Sequence, residues 1–269
     1  MKRRSTKQVK IGEIYIGSEY LVLVQSMLNT DTMNTEACVE QAIRIIEAGG
    51  KLVRITAPGV KEARNLENIH AELRRRGYTT PLSADIHFNP EAAIEAARHV
   101  EKVRINPGNF VDKRATFKTL TYTDEEYAAE LERLREKFSA FLNVCREYGT
   151  AVRIGTNHGS LSDRIMSRYG NTPAGMVEAT MEYLRVCRDV KFDDVVISLK
   201  SSDCRVMVEA VRLLVKEMEK EGMDYPLHLG VTEAGEGEDG RIRSAVGIGT
   251  LLNEGLGDTI RVSLTEEPE

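Results

Sequence analysis

The chain has 269 residues, 41% hydrophobic and 29% charged, with a formal net charge of −5. That balance suits one large α/β domain with ample core. It excludes a global positive field for nucleic acid, and no apolar run approaches the roughly 18 residues of a membrane span. The start, "MKRRSTKQVKIG", is basic but lacks the apolar centre of a signal peptide.

In chain order, "QVKIGEIYIGSEY" alternates around Gly12 and Gly17 and predicts a β-hairpin within residues 1–20. Short apolar strands and amphipathic helices then alternate. "YLVLVQSM" precedes a helix near Thr35–Ala48, and "KLVRIT" one near Ala63–Arg76. "PLSADIHF" leads to Glu91–His99. "EKVRIN" leads, through an irregular stretch, to a long helix near Asp124–Tyr148. "TAVRIG" runs through a polar loop to a helix starting near Pro173, and "DVVISLKSS" to Asp203–Glu221. "YPLHLGVTEAG" leads to Arg241–Asn253, and "DTIRVSL" closes the series. Eight strands with seven intervening helices predict parallel strands in a (β/α)8 barrel, with the hairpin plugging its bottom. The eighth helix is missing. Pro268, after two glutamates, reads as the first turn of a helix that continues in a longer protein.

Cys38, Cys145, Cys187 and Cys204 form no C-x-x-C pair. The first three fall in helical apolar patterns, as small core residues in a reducing cytosol do. Cys204 begins a helix after a polar turn. None has zinc or cluster spacing.

Four strands carry an arginine among β-branched residues: Arg54, Arg104, Arg153 and Arg261. The flanking valines and isoleucines share the opposite face. The helix-facing side needs apolar residues, so the arginines face the barrel interior. Steps of two toward the C-terminal ends keep that face. Arg54 leads to Thr56, Asp85 to His87, Arg104 to Asn106, and Arg153 through Gly155 to Asn157. Ser198 leads to Lys200 and Ser202, His228 through Gly230 to Thr232, and Arg261 to Ser263. Barrel enzymes carry their active sites at that end. Arg54, Arg104, Arg153, Lys200 and Arg261 thus converge, with few anions at hand: Asp85 and, at the edge, Glu233. Such a cluster needs an anionic partner, and guanidinium forks fit phosphate oxygens. Five cations suit a diphosphate or two phosphates.

Other signals stay open. The glycines of "VTEAGEGEDGR" either turn amides toward an anion or make a mobile loop. "GTNHGSLSDRIMSRYGNTP" is long enough to be a lid, and its His158 either touches ligand or is solvated. His87, beside Asp85, can donate a proton or a hydrogen bond. His70 and His99 are expected on helix surfaces.

The motifs "VQSMLNTDT", "VRITAPG", "ADIHFNP", "VRINPGN", "RIGTNHGSLSDR", "LHLGVTEAGEGEDGR" and "GIGTLLNEGLGDTIRVSLTEEP" resemble the 4-hydroxy-3-methylbut-2-enyl diphosphate synthase family. The resemblance runs from about Gln8 to the last residue. "FVDKRATFKTLTYTDEEY" looks closest to the larger, three-domain form. The resemblance implies an oxidoreductase of the methylerythritol phosphate route to isoprenoids in the bacterial cytoplasm. It reductively opens 2-C-methyl-D-erythritol 2,4-cyclodiphosphate. It also implies a [4Fe–4S] cluster held by three cysteines and a glutamate in a C-terminal domain, with electrons from ferredoxin or flavodoxin, and in the smaller form a homodimer. By motif match, Arg54, Arg104, Arg153, Lys200, Arg261 and Ser263 would anchor phosphate. Asn106, Asn157 and Thr232 would add hydrogen bonds, and Asp85, His87 and Glu233 would stand at the reacting centre. No cysteine here matches the cluster motif, and the middle and C-terminal domains are not in this sequence. Residues 1–269 are therefore expected to be a substrate-binding barrel, inactive alone. A pterin-binding barrel of the dihydropteroate synthase type and a non-catalytic phosphate-binding barrel are the alternatives.

Overall fold

A computed structural model describes residues 2–112 and 121–269. Ten strands are seen among them. β1 (Val9–Ile11) and β2 (Ile14–Ile16) pair antiparallel, with the tight turn made by Gly12 at φ 58°. That left-handed conformation suits a residue without Cβ.

The other eight strands are all parallel: β3 (Leu23–Met27), β4 (Leu52–Thr56), β5 (Leu82–Asp85), β6 (Lys102–Ile105), β7 (Ala151–Asn157), β8 (Val195–Lys200), β9 (His228–Leu229) and β10 (Thr259–Ile260). Their order is β8-β7-β6-β5-β4-β3-β10-β9. A parallel bridge between Ile197 and Leu227 joins the two ends, so the sheet closes. The predicted barrel and hairpin are both present. Val9, Ile11 and Ile16 of the hairpin pack with Leu23, Leu52, Ala151 and Val196 from the N-terminal strand ends. The bottom of the lumen is thereby sealed with apolar side chains.

Helices run outside the barrel: α1 (Thr35–Glu47), α2 (Val60–Arg75), α3 (Pro90–Ala96), α4 (Pro107–Phe110), α5 (Asp124–Tyr148), α6 (Asp163–Tyr169), α7 (Pro173–Asp189), α8 (Cys204–Lys220) and α9 (Gly237–Asn253). Their starts follow local chemistry. Asn34, Asn89, Thr172 and Asp203 each cap a helix through the side chain, and Thr123 with Glu126 forms a capping box. Prolines open α3 and α7 where no backbone donor is needed. The hydrophobic core lies between helices and sheet, where Val53, Ile55, Val103, Ile154 and Ile197 turn outward to meet it.

Several expectations are corrected. The stretch after β6 and the loop after β7 hold the short helices α4 and α6, read above as irregular. The segment long enough to be a lid contains a buried ion-pair anchor: Arg164, 2% exposed, pairs with Glu182 at 2.7 Å and with Asp112 at 3.0 Å. His158 in it meets the Asn171 carbonyl at 3.0 Å. α9 begins four residues earlier than expected, and its Gly237 N–H donates to Glu266 at 2.6 Å. The anion facing that amide is the chain's own carboxylate. Pro268 is in no helix; its carbonyl accepts from Ser26 Oγ at 2.6 Å. His70 and His99 are half-buried rather than surface residues, against Glu101 at 2.8 Å and Glu95 at 3.4 Å. Part of "FVDKRATFKTLTYTDEEY" lies at 113–120, outside the described residues. No helix among the described residues is long and apolar enough to cross a membrane.

Candidate functional site

A pocket of about 350 Å³ opens at the C-terminal end of the barrel. Arg54, Thr56, Asp85, His87, Arg104, Arg153, Asn157, Ser198, Lys200, Thr232, Glu233, Arg261 and Ser263 line it, with Met27. Alternation along the strands places them there. Each barrel strand sends every second side chain inward, and register sets neighbouring strands level, as in the Arg104–Arg153 pairing.

Asp85 is the buried hub. Its Oδ1 accepts from Arg104 Nη1 at 3.0 Å, and its Oδ2 lies 3.2 Å from Arg54 Nη2 and 3.0 Å from His87 Nε2. Burial opposes its charge, but the Arg54 and Arg104 guanidiniums, with His87, hold it well below the usual carboxylate range. It is therefore an ionised counter-ion. Arg104 also donates to the Gly155 carbonyl at 2.8 Å. Arg54 directs Nε and Nη2 at Met27 Sδ, at 3.1 and 2.8 Å.

The other cations have less. Arg153 is 2% exposed, and its Nε and Nη1 find no hydrogen-bond partner among the described residues. Burial, then Arg54 and Arg104, push its affinity for a proton well down. Lys200 is lowered by burial and by Arg153, Arg54, Arg261 and Arg104. Arg261, half-buried, is lowered to about 9 by burial and by Arg54. Each buried donor left unmade costs roughly 1–3 kcal/mol, so the pocket is arranged for a guest that accepts hydrogen bonds and carries negative charge.

Glu233 is exposed at the rim, in a left-handed conformation at φ 51°. That is uncommon for a residue with a side chain and typical of sites under functional constraint. His87 is partly open to the pocket, with 43% of its side chain exposed.

Asn106 is the sequence-predicted contact that the fold does not bring to this lining. Its Oδ1 caps α4 through the Gly108 amide, and its Nδ2 donates to Ser160 at 2.9 Å. Ser202 is exposed outside the lining, and His228 lies buried below it. Met27 was missed, although the step from Gln25 on the first barrel strand carries the same signal. Lys102 was missed too. It sits two residues before Arg104 on the inward face, 0% exposed, with Nζ donating to Gln25 at 3.1 Å.

A larger groove of about 640 Å³ runs outside the barrel between α5, α6 and α7. Its Arg135, Arg168, Arg185 and Arg188 are each ion-paired with a neighbouring carboxylate. It therefore lacks the uncompensated charge found at the barrel mouth.

No group of three or more His, Cys, Asp or Glu able to hold a metal occurs among the described residues. Cys38, Cys145 and Cys187 are buried, and burial raises the thiol pKa of each. Thiols held protonated in separate helices do not fit an iron–sulfur cluster.

Fold and site together define a (β/α)8 barrel with a cluster of cations lining the pocket at its C-terminal mouth. Residues 6–269 match the GcpE TIM-barrel domain, and the chain belongs to that family. It is 66% identical over 267 residues to a Bacteroides fragilis protein named 4-hydroxy-3-methylbut-2-en-1-yl diphosphate synthase (flavodoxin), covering 99% of this chain and 43% of that one. A Parabacteroides distasonis protein of the same name is also 66% identical, with 99% and 44% covered. The chain thus spans less than half the length of these relatives. Among solved structures, a Yersinia pestis dihydropteroate synthase in a sulfonamide complex superposes with a TM-score of 0.58 at 12% identity, covering 97% of this chain and 94% of that one. At that identity the likeness is one of fold alone.

Proposed function

We propose that this chain is the substrate-binding barrel of a synthase that reductively opens 2-C-methyl-D-erythritol 2,4-cyclodiphosphate to 4-hydroxy-3-methylbut-2-enyl diphosphate. The observation that carries this reading is the charge imbalance at the mouth: five cations converge, one buried carboxylate answers them, and Arg153 keeps two donors unpartnered. The names of the long relatives support the choice of ligand.

In this reading Arg54, Arg104, Arg153, Lys200 and Arg261 hold the diphosphate. Ser263, Thr232 and Asn157 add hydrogen bonds. The same cations stabilise the charge that grows on the phosphate oxygen as the ring opens. Asp85 positions Arg54 and Arg104. His87, whose Nε2 rests on Asp85, and Glu233 at the rim both line the pocket, which suits them to proton handling. The [4Fe–4S] cluster does not fit the residues described, so we assign it to the part of the longer protein beyond this region, with flavodoxin or ferredoxin supplying electrons. Whether that part belongs to the same chain or to a second copy, it would approach the open mouth.

The test is calorimetric titration with the cyclic diphosphate at two salt concentrations, with free diphosphate as control. Binding that weakens with salt and favours the cyclic sugar supports the reading. A folded chain that ignores the cyclic diphosphate refutes it. Electron-donor-dependent product formation by these 269 residues alone would refute the division of labour.

A further inference from the structure

Charge inside the lumen stays unbalanced even with the ligand bound. Arg54, Lys102, Arg104, Arg153 and Lys200 are all at least nine-tenths buried, and half-buried Arg261 joins them. Among the described residues lining the pocket, Asp85 is the one buried carboxylate. Six cations against one anion leave a surplus of five. A cyclic diphosphate, in which each phosphorus carries one ester and one anhydride bond, has two negative charges and no titrating proton near neutrality. It still leaves a surplus of three.

A guanidinium holds its proton more firmly than an amine, and even Arg261 is lowered only to about 9. A buried lysine is the usual group to yield. Lys200 stands where this matters. It lines the pocket on β8 and is surrounded by like charge: Arg153 from β7, Arg54 from β4, Arg261 just after β10 and Arg104 from β6. Asp85 of β5 is already shared by Arg54, Arg104 and His87. His228 of β9, wholly buried and pushed toward its neutral form by burial and by Lys200, offers no counter-charge. On β3, Met27 is uncharged. Burial and the surrounding arginines lower the Lys200 amine well below its usual range.

We propose that Lys200 is a neutral amine in the empty pocket and gains its proton together with the arriving dianion. The site then binds ligand and proton as one event, and each loaded pocket holds a fresh ammonium against the phosphate oxygens. The proposal rests on the diphosphate reading above. Lys102 is not the carrier, because it lies a step below the pocket, outside its lining, with its amine on Gln25. An anion's field falls with distance, so Lys200 feels the ligand first.

The sign follows from linkage. Ligand raises the lysine's proton affinity, so protons are taken up between the pKa of the empty site and that of the filled site. Within that window, affinity falls about tenfold for each unit of rising pH when one proton is coupled.

The experiment is calorimetry of the cyclic diphosphate with this chain, in buffers of different ionisation enthalpy, from pH 6 to 9 on the order of one-unit steps. The expected result is uptake of about one proton per ligand bound. Lys200→Arg, whose charge is permanent, should bind with no uptake, and Lys102→Met should keep the uptake. Binding by the unaltered chain without proton uptake overturns the proposal and leaves the diphosphate reading standing. Uptake that survives in Lys200→Arg, or vanishes in Lys102→Met, overturns the choice of Lys200. Absence of binding at every pH overturns both.

Discussion

Arg104 Nη1 and Asp85 Oδ1 meet at 3.0 Å in the lumen, and the other Asp85 oxygen is 3.2 Å from Arg54. One buried carboxylate therefore fixes two of the guanidiniums that face the pocket. Breaking a buried pair by removing one partner costs about 3–5 kcal/mol, because the other charge is left uncompensated. Asp85→Asn should lower the stability of the empty chain by that order. The loss should shrink when the cyclic diphosphate is present, since the anion takes over the freed guanidiniums. Thermal unfolding with and without ligand measures both. Equal losses in the two conditions would mean that Asp85 does not serve the ligand's anchors.

Arg104 and Arg153 should separate stability from binding. Among the described residues Arg153 has no carboxylate partner and two donors unused. Arg153→Ala should weaken binding by roughly 2–3 kcal/mol, the usual worth of a charged hydrogen bond, at little cost to folding. Arg104→Ala should weaken binding by about the same and also destabilise the empty chain, because Asp85 then loses a partner. Calorimetry gives the first quantity and denaturant unfolding the second. Unchanged affinity in either variant would remove that residue from the site.

The acid limb of stability should depend on the bottom of the barrel as well. Glu101 accepts from His70 and Arg74, each at 2.8 Å, and from the Leu82 amide at 2.8 Å. Burial works against its charge, but His70, the Leu82 amide and Arg74 hold its pKa below the usual value. A carboxylate with a depressed folded pKa stabilises above its unfolded pKa, and that stability is lost as pH falls through the folded pKa. Glu101→Gln should thus cost on the order of 2–3 kcal/mol at neutral pH and progressively less in acid. Unfolding free energies of the two chains at pH 7 and in acid would converge. Parallel curves would deny Glu101 this role.

Much of this site was legible because strand periodicity is strict. Arg54, Arg104, Arg153 and Arg261 interrupt β-branched runs, and a step of two keeps the same face, so one rule found the lining from Thr56 to Ser263. It failed at Asn106, where the strand has ended and the side chain turns to cap α4. It also missed Lys102, which obeys the same rule but stands before the arginine, in the direction not followed. The short helices α4 and α6 were hidden for another reason. Four and seven residues are too few to display a helical period. Anchoring of the segment after β7 depends on Arg164 meeting Glu182 and Asp112, contacts distant in sequence.

Glycine in the lumen makes the last prediction. A Cβ on Gly155 would lie 2.6 Å from Arg104 Nε and 3.2 Å from Ser198 Oγ, so the atoms it meets are side chains of the site. A Cβ on Gly230 would lie 2.8 Å from both Lys200 Nζ and the Arg261 carbonyl oxygen, which is backbone. The two alanine variants should differ in what they displace. Gly155→Ala displaces the Arg104 side chain, so it should lose ligand affinity by about 1–3 kcal/mol, as when one charged hydrogen bond goes, and it should also loosen the Arg104–Asp85 pair. Gly230→Ala meets main chain that cannot swing away, so overpacking should cost about 1–3 kcal/mol of stability as well. Measuring affinity and unfolding for both variants decides it. If Gly155→Ala binds the cyclic diphosphate as the unaltered chain does, the position of Arg104 in the lumen is not what the ligand requires.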